Sequence, residues 1–253
     1  PDIPVGVRKH TGGPHYTEWN YSRPLVEKLP HLRSYWDTPD ATYLYRKILS
    51  GRPDSSVTIV TVGPLKNIQD LIQSQPDSLS DLHGYELINK KVKEFVIMGG
   101  KFPEGDGEWN FDGNMRGVTS FVLNHIEVPI VFSGYEVGYQ IKTGEVFNRI
   151  DKDRPLYIGY KYFSEHAPWM KQNYEGKVLD NASYDQTAVL YAVKGRLGTY
   201  WEKVEGGYCK VEPDGDNKWV DRRPTNQSYL KLTADPEKVA KEIEGVMLGK
   251  SVD

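Results

Sequence analysis

The stretch that decides the fold runs from residue 93 to residue 114: Lys93-Glu94-Phe95-Val96-Ile97-Met98-Gly99-Gly100-Lys101-Phe102-Pro103-Glu104-Gly105-Asp106-Gly107-Glu108-Trp109-Asn110-Phe111-Asp112-Gly113-Asn114. Phe95 to Met98 form a short, continuous apolar run that stops at Gly99-Gly100. A run of that length bounded by glycine predicts a strand buried on both faces. The polar, glycine-rich segment behind it then sets Glu108, Trp109 and Asn110 side by side. In an open parallel sheet, ligands bind beyond the carboxyl ends of the strands, where glycine lets backbone approach closely. An acid, an amide and an aromatic in that place suit a hydroxylated ring. An ordinary surface loop accounts for the same three residues, and on local features alone it is the more frequent explanation.

Working outward, Ser56 to Val62 is a β-branched strand closed by Gly63-Pro64. A helix carrying Leu65, Ile68, Leu71 and Ile72 follows, then a second helix around Tyr85 to Lys91. Beyond the Glu108 segment, Val118, Phe121 and Val122 mark a helical stripe, and Pro129 to Phe132 is a strand ending at Ser133-Gly134. Three buried strands separated by helices predict right-handed crossovers, hence an α/β fold with an open, mostly parallel sheet and flanking helices. Upstream, Thr38 as N-cap and Pro39 as first helical residue open a helix with Ala41, Leu44, Tyr45, Ile48 and Leu49 on one face, ended by Gly51. Downstream, Asp185 to Val193 reads as a helix with Asp185 at its start, where capping and the helix dipole account for a carboxylate without any catalysis. Pro213-Asp214-Gly215-Asp216-Asn217 joins two short strands into a small C-terminal β-hairpin region, and a plain turn explains its acids better than a calcium loop. Asp235-Pro236 caps a last amphipathic helix.

The first 36 residues are irregular apart from a short strand at Ile3 to Val7. They hold His10, His15, Glu18, Trp19 and Tyr21, residues able to handle a base but equally at home in a solvated loop. The 253 residues suffice for one substantial core and are expected to form a single domain. A net charge of -3 and a pI near 6.1 argue against a nucleic acid or an anionic membrane as the main partner. No apolar run approaches the length of a membrane span. With Cys209 as the sole cysteine, an internal disulfide framework and a multi-cysteine zinc site are both excluded. Aromatic residues reach 12%, compatible with a surface that takes sugars or bases.

Four segments in order resemble the inosine-uridine-preferring nucleoside hydrolases. Val60 to Ile68, with Gly63-Pro64-Leu65-Lys66-Asn67, is similar to that family's Gly-Pro-Leu-Thr-Asn turn. Met98-Gly99-Gly100 and Glu108-Trp109-Asn110-Phe111 are similar to its Met-Gly-Gly and Glu-Phe-Asn elements. Pro129 to Gly138 matches the next strand and loop, and Ser183 to Val189 matches the His-Asp-Pro-x-Ala-Val segment. The resemblance implies hydrolysis of the N-glycosidic bond of ribonucleosides through an oxocarbenium-like transition state, with a calcium-held water as nucleophile. It assigns ribose contacts to Glu108 and Asn110, with Trp109 between them, and sugar-site lining to Met98. A calcium-ligating carboxylate falls on Asp185 and a calcium-ligating carbonyl on Val62. The leaving-group acid position falls on Tyr184, where the family has His; a phenol gives up its proton less readily. The implied partner is a small nucleoside or ribosyl compound, and a homodimer or homotetramer fits the family.

The family's opening strand with its Asp-x-Asp-x-x-x-Asp-Asp cluster has no counterpart here. The chain is therefore expected to be a fragment of a larger domain, with calcium weak or absent and turnover lacking in this form. A second reading is a nucleoside- or sugar-binding protein that keeps the pocket without the chemistry. A third is a glycosidase using two carboxylates such as Glu108 and Glu136.

Overall fold

The computed structural model describes residues 3–9, 21–29, 35–194, 200–221 and 225–250. Among these, the strands are β1 Val57–Thr61, β2 Val92–Met98, β3 Glu104–Gly105, β4 Ile130–Ser133, β5 Lys142–Thr143, β6 Asn181–Ala182, β7 Trp201–Val204, β8 Tyr208–Val211, β9 Asn217–Val220 and β10 Gln227–Leu232. The α-helices are α1 Ser22–Lys28, α2 Ala41–Ser50, α3 Lys66–Ile72, α4 Gly84–Lys91, α5 Trp109–Asp112, α6 Val118–His125, α7 Tyr135–Gln140, α8 Pro155–His166, α9 Tyr184–Lys194 and α10 Pro236–Met247.

The main sheet has the order β1-β2-β4-β10-β7. Its first four strands run parallel, with Phe95 opposite Ile130 and Met98 opposite Ser133, and β7 closes the edge antiparallel to β10. Alternation along each strand explains why the apolar runs are continuous. Phe95 and Ile97 of β2 join Ile130 and Phe132 of β4 in one core with residues of α3, α4 and α6. Val96 and Met98 join Val131 in a second core with α9 and α10. Side chains on successive residues point to opposite faces, so a sheet covered on both sides needs apolar residues at every position.

Helix ends follow local chemistry, and at α2 they differ from the sequence pattern. The cap of α2 is Asp40 rather than Thr38: its carboxylate accepts from the backbone N–H of Thr42 and Tyr43. Asp40 itself pairs with the N-terminal segment, since Val7 donates to the Pro39 carbonyl and Ala41 to that of Val7. Asp235 caps α10 by accepting from Glu237, with Pro236 at the first position. The hairpin of β8 and β9 is present and gains β3 as a third strand. This small sheet braces the segment behind β2. Asn217 accepts from the Lys101 N–H at 2.9 Å and donates to its carbonyl at 2.7 Å, and Trp219 donates its N–H to Pro103.

Candidate functional site

Glu108 is the N-cap of the short helix α5 and is nearly fully buried. Its carboxylate accepts backbone N–H groups from Gly100 at 2.8 Å, Asn110 at 3.1 Å and Phe111 at 3.2 Å. Burial pushes the carboxyl pKa up; the three N–H groups and the charge of Lys101 pull against it. Gly99 and Gly100 make the arrangement reachable. A Cβ on Gly99 would lie 2.5 Å from the Phe111 ring, and Gly100 has φ +76 with the same ring 2.8 Å from its own Cβ position. Asn110 is also held inward, its amide donating to the Met98 carbonyl at 3.0 Å and lying 2.9 Å from the Met98 sulfur. Trp109 between them is half exposed. These three consecutive residues therefore divide into two that are tied to the end of β2 and one that faces solvent.

The start of α9 comes to the same end of the sheet. Thr187 hydroxyl lies 3.3 Å from that of Ser133, the last residue of β4. Gly138 of α7 lets α9 approach: a Cβ there would stand 2.5 Å from the Tyr184 Cα. The Tyr184 ring stacks on Tyr135 at 5.2 Å, and Tyr135 stacks in turn on Tyr139 at 5.4 Å. Burial, then a hydrogen bond with Tyr135, raises the Tyr184 phenol well above its usual range. Asp185 occupies the first turn of α9, one residue inside the helix rather than at its cap. Although open to the cleft, its carboxyl is pushed up to about 6, by partial burial first and by the negative charge of Glu108 second. Val62 follows the last residue of β1 and is 41% exposed.

Tyr184 and Asp185 also line a cavity of about 280 Å³ between α8 and the start of α9, with Tyr160, Phe163, Asn181 and Gln186. Tyr21 reaches this wall from the N-terminal segment, its ring 6.3 Å from Phe163 and edge-on to it. His10, His15, Glu18 and Trp19 lie outside the described residues. Met98, Glu108, Trp109, Asn110 and Val62 are not part of the cavity wall. The site is thus a strand-end cluster and an aromatic cavity, with Tyr184 and Asp185 belonging to both. Tyr135, Tyr160 and Gln186 carry no sequence signal for this role; only the crossing of α7, α8 and α9 brings them here.

Two further carboxylate arrangements bear on the chemistry of the site. Glu136 accepts from Phe102 N–H at 3.1 Å through Oε2, while its buried Oε1 has no partner. For calcium, which takes six to eight oxygens and gains affinity from carboxylates, Asp185 and the Val62 carbonyl are the donors expected by resemblance. Among the described residues no three His, Cys, Asp or Glu side chains group to hold a metal ion. Among the described residues, one carboxylate and one carbonyl are fewer donors than calcium takes.

A mostly parallel α/β sheet with polar residues gathered at its strand ends defines the class of fold. Residues 14–243 match the family model for inosine-uridine preferring nucleoside hydrolase, so the chain belongs to that family, whose name denotes hydrolases of N-glycosyl compounds. A solved plant nucleoside hydrolase, the PpNRh1 enzyme, superposes with a TM-score of 0.64 at 17% identity, over 93% of this chain and 76% of that one. An inosine-uridine preferring nucleoside hydrolase from Bacillus anthracis superposes with a TM-score of 0.52 at 14% identity, over 81% of this chain and 65% of that one. No curated protein matches the chain. Among the described residues, no helix is long and apolar enough to cross a membrane.

Proposed function

We propose that this protein binds a ribonucleoside and hydrolyses its N-glycosidic bond, with the ribose at the strand ends and the base in the cavity between α8 and α9. The observation that carries the reading is Asp185, a carboxylate lining the cavity that also feels the charge of Glu108. Departure of the base leaves positive charge on the ribosyl ring, and a carboxylate beside the ring stabilises that charge. Met98 and Asn110 close the sugar side, where the amide of Asn110 keeps capacity for a ribose hydroxyl beyond its bond to Met98. Tyr184 holds its proton too firmly for an efficient general acid, so its contribution is to stack and to shape the cavity.

A second reading, binding without turnover, is favoured by the three backbone N–H groups that the Glu108 carboxylate accepts. The test is calorimetric titration of the protein with inosine and uridine, with and without calcium, alongside an assay for released ribose. Asp185-dependent binding with release of ribose, both lost in Asp185→Ala, supports the hydrolase. Binding without ribose release supports the second reading. No binding of either nucleoside would sink both.

A further inference from the structure

The wall of the cavity between α8 and α9 is one-sided in charge. Four aromatic residues, Tyr21, Tyr160, Phe163 and Tyr184, share it with the carboxylate of Asp185 and the amide of Gln186. Among the described residues no Lys, Arg or His lines it. Glu108 stands close enough for its charge to act on Asp185. The Tyr184 ring stacks on Tyr135 and pairs with no second ring among the described residues. Aromatic rings carry negative potential on their faces, so rings and a carboxylate together attract a cation, whereas a neutral heterocycle gains only stacking.

Two phenols of the same wall hold their protons, since burial raises both Tyr160 and Tyr184 above the usual range. Asp185 serves the reaction as a carboxylate beside the ribosyl ring. A neutral base that departs without a proton keeps the bonding electron pair and leaves as an anion, which the Asp185 carboxylate repels. A base that is already cationic departs neutral and needs no proton. The C1′–N bond breaks with its electron pair on nitrogen, the oxygen of water bonds to C1′, and one proton of that water passes to solvent. Riboside cation and water thus give ribose, neutral base and a proton.

Resting on the reading of this cavity as the base pocket, we propose that it selects a base carrying a positive charge, as in an N-ribosylpyridinium or a purine riboside alkylated at its N7 nitrogen. The rings and Asp185 hold the cationic heterocycle before cleavage and its neutral product less firmly, which favours release. A cavity of about 280 Å³ lies at the lower end of the range for ligand pockets and suits a single heterocycle.

The experiment compares the 3-carbamoyl-1-methylpyridinium cation with 3-methylbenzamide, which has the same shape without the charge; neither has a glycosidic bond to cleave. Calorimetric titration at pH 8 should find the cation bound about tenfold more tightly. In Asp185→Asn, which keeps the shape and removes the charge, the preference should fall to within about threefold. Phe163→Leu, which removes a ring of the cavity wall, should weaken the preference as well. Far-ultraviolet circular dichroism melts check that each variant is folded; if Phe163→Leu is not, Asp185→Asn decides. Equal affinity of the unaltered protein for the two compounds, binding of neither, or a preference unchanged in a folded variant overturns the proposal. Ribose release, corrected for spontaneous hydrolysis, is then compared for the N-ribosylnicotinamide cation and inosine, with kcat/KM expected about tenfold higher for the cation. A value no higher than that for inosine overturns this proposal and leaves the ribohydrolase reading standing. Selective binding of the cation with ribose released from neither riboside would instead refute the ribohydrolase reading and leave the cation-selective cavity standing.

Discussion

At the scale of single residues, the carboxylates at the strand ends differ in how they are held. Glu108 receives three backbone N–H groups, whereas Glu136 receives Phe102 N–H on one oxygen and nothing on the other, which is buried. Burial first, and repulsion from Glu108, raise the Glu136 pKa above its ordinary 4.5. The folded chain therefore binds this proton more tightly than the unfolded chain does. Stability from this group is complete below about pH 4.5 and is lost as pH rises through the raised folded value. Glu136→Gln removes the charge and supplies a donor, so its melting temperature should match that of the unaltered protein near pH 4 and exceed it at pH 8. The expected gain at pH 8 is about 1 kcal/mol. A difference that is constant across the pH range would show that Glu136 does not titrate in this window.

At the scale of elements, the site depends on pieces far apart in sequence. The hairpin of β8 and β9 supports the segment behind β2 through Asn217, a buried amide that brackets Lys101 with two hydrogen bonds. Lys101 adjoins Gly100, whose N–H caps Glu108. Asn217→Ala removes both bonds and leaves two backbone groups of Lys101 without partners, a loss of about 1–3 kcal/mol. We expect this variant to bind a nucleoside less tightly as well, because Glu108 loses its fixed donor. Urea unfolding and calorimetric titration separate the two effects. Lowered stability with unchanged affinity would show that the hairpin braces the fold alone. Arg46 plays a comparable part on the other side of the molecule, clamping Asp77, Ser74 and the carbonyls of Ser80 and Leu82 between α2 and α4.

At the scale of the whole molecule, stability is distributed over two cores that share the sheet as a common wall. Phe95 is fully buried in one of them. Phe95→Ala deletes a large side chain from a packed interior and should cost about 3–5 kcal/mol. Trp109→Ala, at a residue 51% exposed, should change stability by less than about 0.5 kcal/mol. Both values come from urea denaturation with the slope compared across variants. A small loss at Phe95 would mean that the cores tolerate a cavity between strand and helix.

The sequence by itself determined the elements governed by near neighbours. The apolar run from Phe95 to Met98, the β-branched run from Val57 to Thr61 and the Ile130 strand are local patterns, and their continuity already implied a sheet covered on both faces. The family was legible for the same reason, since its turns and strand ends are short contiguous motifs. The role of β10 as the parallel neighbour of β4, and of β7 as an antiparallel edge, was decided only by tertiary structure, because the partners lie about a hundred residues apart for β4 and about 30 for β7. So was the state of the site. No local pattern reveals that Glu108 accepts three backbone N–H groups, that Asp185 lines an aromatic cavity while feeling the charge of Glu108, or that Gln186 meets the Tyr160 hydroxyl. Those properties are fixed by burial, by the crossing of helices over strand ends and by electrostatics that act through space rather than along the chain.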